Sequence, residues 1–65
     1  MKLVFDFYVV EDVRPSDFEY CLFILKGNSK EVFMGCYYKY KDSFIIDDMN
    51  EYEADKVLYW AKNSL

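Results

Sequence analysis

The 65-residue sequence contains no histidine, two cysteines, two glycines and one proline, and each scarcity removes a class of function. Without histidine the commonest general base and the commonest metal ligand are both missing, and neither a Ser–His nor a Cys–His nucleophile can be assembled within the chain. Gly27 and Gly35 stand apart, so no glycine-rich phosphate loop exists. Cys21 and Cys36 are too few for the disulfide framework of a small secreted domain, and they lack the C-x-x-C spacing of a redox or metal motif. They read as free thiols in the core or sheet. Residues 1–5 begin like a signal peptide, but Asp6 interrupts the apolar run and no small-residue cleavage site follows. No apolar stretch approaches the roughly 20 residues of a membrane span. The expectation is a cytoplasmic chain without membrane contact.

Carboxylates remain as possible chemistry. Two of them can perform acid–base work in a glycosidase, but a domain this short offers little room for a cleft of about 300 Å³ or more. Asp42, Asp47, Asp48 and Glu51 hint at calcium, yet the D-x-[DN]-x-[DN]-G loop is absent. No catalytic residue, metal or cofactor is therefore expected.

What the chain has in quantity is apolar surface: 54% of its residues are hydrophobic and 22% aromatic. A chain of this length forms one domain, 1–65, with a thin core that buries only about 60% of the surface it exposes when unfolded. Some apolar surface should thus remain outside. The net charge of −4 argues against direct nucleic-acid binding, which demands a basic face. It suits a basic protein partner, or simply solubility.

The pattern predicts an α+β fold, an antiparallel meander of three to four strands with one C-terminal helix packed on one face. Residues 2–10 alternate as a strand, and the loop 11–17 contains Pro15. Residues 18–26 and 30–40 form a hairpin around the turn signal Gly27-Asn28-Ser29. Two registers compete. A three-residue loop pairs Lys26 with Lys30, gathers Phe18, Tyr20, Leu22, Ile24, Val32, Met34, Cys36 and Tyr38 on one apolar face, and puts Glu19, Glu31 and Lys39 on the other. A two- or four-residue loop sets Cys21 opposite Cys36 but mixes the faces. The cleaner segregation favours the first. On that register Cys21, Phe23, Leu25, Phe33 and Tyr37 share the second face, which a partner or second copy should partly cover.

Residues 44–46 make a short fourth strand. Asp48 with Glu51 fits a capping box, and Glu51, Glu53 and Asp55 suit the positive end of a helix dipole. Ala54, Val57, Leu58, Ala61 and Leu65 recur at helical spacing, so a helix is predicted over 49–63.

On such a helix Tyr52 and Tyr59 lie opposite the apolar stripe, with Trp60 at its edge. These three, bordered by Asp48, Glu51 and Asp55, are the candidate partner-binding residues, since tyrosine and tryptophan anchor many interfaces. The plainer alternatives are scattered surface tyrosines and an acidic run, 42–55, that only solvates a helix start. The leading functional expectation is a small protein-binding module. It would be an inhibitor or adaptor that occupies a partner's functional surface, a basic surface that normally holds nucleic acid being one candidate. In size, acidity and lack of chemistry the chain is similar to small phage or mobile-element inhibitors such as anti-CRISPR proteins, a likeness of character with no residue match behind it. The alternative is a homo-oligomeric structural or regulatory protein, a homodimer in the simplest case, whose aromatic surface forms its own interface.

Overall fold

A computed structural model describes residues 6–63. The segments rich in aromatic and β-branched side chains are strands, as such residues favour. They are β1 (Tyr8–Val9), β2 (Tyr20–Leu25), β3 (Asn28–Tyr38), β4 (Ser43–Asp47), β5 (Asn50–Glu53) and β6 (Val57–Lys62). All pair antiparallel in one sheet of order β1-β6-β2-β3-β4-β5. Strands β2 to β5 form a meander; β6 then returns to the free edge of β2, and β1 lies outside β6.

This connectivity forces the sheet to roll. On a flat sheet β5 and β6 would lie about 19 Å apart, four strand spacings. The link between them is one 3-10 turn, Ala54–Lys56, and such a turn rises only about 2 Å per residue. The sheet therefore curls until its two halves nearly meet. Backbone hydrogen bonds pin the link on both sides: the Ala54 N–H donates to the Asp42 carbonyl at 2.8 Å, and the Lys26 N–H donates to the Lys56 carbonyl at 2.9 Å.

The predicted α+β fold is corrected here. Six strands replace three or four, and among the described residues the 3-10 turn is the only helical element. The span 49–63 that was expected to be a helix holds β5, the turn and β6 instead. Its helical period has a local cause. Ile24 pairs with Tyr59 and Leu25 with Val57, so Leu58 is an extra residue in the ladder. Such a bulge shifts strand parity by one. Val57 and Trp60, three residues apart, consequently both point inward and are buried, which imitates one face of a helix. Leu65 of the expected stripe lies outside the described residues, as do residues 2–5 of the expected first strand.

The hairpin register is the one favoured by segregation, since Tyr20 pairs with Cys36, Leu22 with Met34 and Phe23 with Phe33. Near the turn it changes: a bulge lets Leu25 pair with Asn28, leaving a two-residue turn at Lys26 and Gly27 in place of the three-residue loop. The two faces of the hairpin exchange their expected roles. Cys21, Phe23 and Tyr37 are enclosed by the chain's own curl, whereas the wholly apolar set headed by Tyr20, Val32 and Met34 faces outward. Charge placement explains the exchange. Glu19 precedes β2, Lys39 follows β3, and Glu31 lies in the free end of the hairpin, where it accepts a hydrogen bond from Asn28 Nδ2 at 3.0 Å. None of the three obstructs the interior.

That interior is aromatic. Phe23 lies 5.0 Å from Phe44, 5.7 Å from Phe33 and 6.0 Å from Tyr52 between ring centroids. Val10, Val57, Ala54 and Trp60 close the cluster. Gly35 makes room for it: a Cβ there would meet the Ile45 carbonyl oxygen at 2.7 Å and Phe23 Cε1 at 3.1 Å.

Candidate functional site

The outer face of the rolled sheet follows from strand alternation and the pairing register. Tyr20, Leu22 and Ile24 of β2 stand beside Cys36 and Met34 of β3 and beside Ala61 and Tyr59 of β6. Cys36 in turn faces Ile45 of β4. Exposure is large at the long side chains: Tyr20 57%, Val32 53%, Met34 51% and Tyr59 38%. Among the described residues, the centre of this face carries no Asp, Glu, Lys or Arg. An exposed Leu or Tyr is ordinary by itself, but a contiguous apolar patch is not.

Phe18 extends the patch by an unusual route. It has φ 62°, the left-handed region, and is 63% exposed. Its N–H donates to the Tyr37 carbonyl at 2.7 Å, and its ring meets Tyr38 edge-on at 5.2 Å. A bulky residue held in that region is strained, and such strain is found where function requires a side chain in one place.

The structure disperses the six residues singled out in the sequence. Trp60 is 3% exposed; its Nε1–H donates to the Val13 carbonyl at 2.8 Å, and its ring packs 5.0 Å from Tyr8. Tyr52 is half-buried and turns inward against Phe23 and Phe33. Tyr59 alone of the three aromatics lies on the outer face. Asp48 is exposed between β4 and β5, Glu51 is on β5 within 3.4 Å of Lys41 Nζ, and Asp55 is exposed on the 3-10 turn. Glu51, Tyr52 and Asp55 do come together, with Leu25, Lys26 and Lys56, around an open cleft of about 550 Å³ at the gap in the sheet, more room than is expected of so short a chain.

The acidic run 42–55 is divided among tasks. Asp47 Oδ1 accepts the Met49 N–H at 2.8 Å and the Asn50 N–H at 3.0 Å, which holds the β4–β5 turn and lowers its own pKa, chiefly through the Met49 bond. Asp42, at φ 49°, receives Arg14 Nε at 2.9 Å and Nη2 at 3.3 Å and the Tyr37 hydroxyl. The Arg14 guanidinium, then the Tyr37 hydroxyl, lower the Asp42 pKa, while Arg14, which also donates to the Val10 carbonyl, is raised mainly by Asp42. Burial, then the hydrogen bond to Asp42, pushes Tyr37 up to about 12. Asp48, Glu51, Glu53 and Asp55 are left as exposed carboxylates.

Cys21 is buried on the inner face, with its pKa pushed up to about 12 mainly by burial and then by Glu19. Cys36 is half-buried on the outer face. Among the described residues no group of three or more Cys, Asp or Glu side chains is placed to hold a metal ion, and no helix is long and apolar enough to cross a membrane.

Scans against protein-family models, curated proteins and solved structures return no match. The residues that sequence reasoning did not put forward as a site are Phe18, Tyr20, Val32, Met34 and Tyr38. The signal for them is the unbroken apolar alternation of the hairpin, a pattern that by itself points to the interior.

Proposed function

We propose that this chain is a small protein-binding module, non-catalytic and cytoplasmic, whose working surface is the outer face of its rolled sheet. The observation that carries this reading is the contiguous, charge-free patch built on Tyr20, Val32, Met34 and Tyr59. Interfaces are depleted of charge at the centre and rich in aromatic residues and Met, which is the composition of this face. The exposed carboxylates Glu51 and Glu53 stand at its β5 margin, with Asp48 and Asp55 beyond it, and on this reading they govern encounter and salt dependence rather than holding the complex.

The test uses a photo-reactive p-benzoylphenylalanine in place of Met34, with the same group in place of Asp48 as the comparison, in the native host. The reading expects a covalent protein adduct from position 34 and little from position 48. Adducts at 48 but not at 34 would move the working surface to the acidic edge and overturn it.

A further inference from the structure

Resting on the reading of the outer face as a contact surface, we infer that its occupant is a second copy of this chain, packed face to face about a two-fold axis. The first argument is area. With a fully buried aromatic side chain worth about 150–250 Å², the exposed portions of Phe18, Tyr20, Val32, Met34, Tyr38 and Tyr59 amount to about 400–700 Å². That is at the high end of the roughly 300–600 Å² of the largest patch on a typical monomer. Two such faces together bring about 800–1,400 Å², which reaches the lower end of the about 1,200–2,000 Å² of stable interfaces.

The second argument is charge. The chain has a net charge of −4. A basic partner would be recognised by carboxylates, yet the centre of the face has none among the described residues; Glu51 and Glu53, paired with Ile45 and Ser43, stand only at its β5 margin, and Asp48 and Asp55 lie beyond it. A neutral centre cannot select a basic surface, and it spares two acidic copies from bringing like charges into direct contact. The third argument is shape. The long Tyr20 stands opposite the short, half-buried Cys36, and Met34 and Tyr59 protrude beside Leu22 and Ala61, which are themselves buried. Across a two-fold axis Tyr20 can enter the low ground at Cys36 of the second copy, as in sheets that pack about 10 Å apart with interdigitated side chains.

Sedimentation equilibrium of the purified full chain tests this. The expected mass is twice the 7.9 kDa of one chain. Raising salt from about 50 to 500 mM should tighten the dimer, because screening relieves repulsion between two acidic copies, whereas contact with a basic partner would weaken. Met34→Lys and Val32→Lys should each raise the dissociation constant at least tenfold while the far-ultraviolet dichroism of the sheet is retained. A single-chain mass at all concentrations and salts overturns the second copy. In that case an adduct of position 34 with a different host protein would leave the contact surface standing. A dimer indifferent to both substitutions places the contact elsewhere, and both readings then fall.

Discussion

Tyr59 and Trp60 are neighbours in sequence and point to opposite sides of the sheet, Tyr59 to the outer surface and Trp60 into the core, where its indole N–H is bonded to Val13. Substitution should separate them sharply. Trp60→Phe removes that hydrogen bond and leaves a smaller ring in the buried site, and should cost about 1–3 kcal/mol. Tyr59→Ala should change stability by less than about 1 kcal/mol. Urea unfolding curves of the two variants decide the matter.

Gly35 is required for space, not for backbone conformation. A Cβ would press on the Ile45 carbonyl oxygen, which is backbone and cannot swing aside, and on the Phe23 ring. Gly35→Ala should therefore destabilise by about 1–3 kcal/mol, the usual cost of overpacking. Gly27, with open space around it, should accept alanine with little change in the same unfolding measurement.

How far the sequence was legible follows from these strands. Turn signals and runs of aromatic and β-branched residues mark β2, β3 and β4, and the segregation of faces selects the pairing of Tyr20 with Cys36. Two features hid the rest. The bulge at Leu58 gave a strand the i, i+3 spacing of a helix, and Asp48 with Glu51 supplied a false cap where Asp47 is in fact bonding the turn at Met49 and Asn50. The face to be buried was illegible because both sides of the hairpin are apolar. The choice depends on β6 returning to β2, a pairing between residues about 40 apart that no local pattern encodes. Of the candidate site, Tyr59 was found as an exposed aromatic; Tyr20 and Met34 were visible only as members of an apolar set.

Phe18 tests whether backbone strain serves contact. Its left-handed φ costs a non-glycine residue about 1–2 kcal/mol. Phe18→Gly removes that strain together with the ring that meets Tyr38. The free chain should be as stable as the parent in thermal unfolding at low concentration, or slightly more so. Self-association, followed by sedimentation, should weaken. A large loss of stability would make Phe18 a packing residue instead.

The pH response has two limbs. The Asp42 pKa is lowered in the folded chain, so its contribution is present above the ordinary carboxylate value near 3.8 and is lost as pH falls through the folded value. Cys21 and Tyr37 shift upward, from 9.0 and 10.0 to about 12. Their contribution is complete below pH 9 and is lost as pH rises toward 12, where the unfolded chain ionises first. Asp42→Asn should flatten the acid limb of the urea midpoint; Tyr37→Phe and Cys21→Ala should each flatten part of the alkaline limb.

Cys36 provides a native probe of the outer face, since it lies opposite Tyr20 and only half-buried, while Cys21 is sealed inside. The most direct measurement is the rate at which a thiol reagent modifies Cys36 as protein concentration increases. If the face is covered by a second copy, the per-molecule rate falls with concentration, reaches a low plateau, and stays high throughout for Met34→Lys. A rate that is independent of concentration and identical in the parent and Met34→Lys would contradict the account.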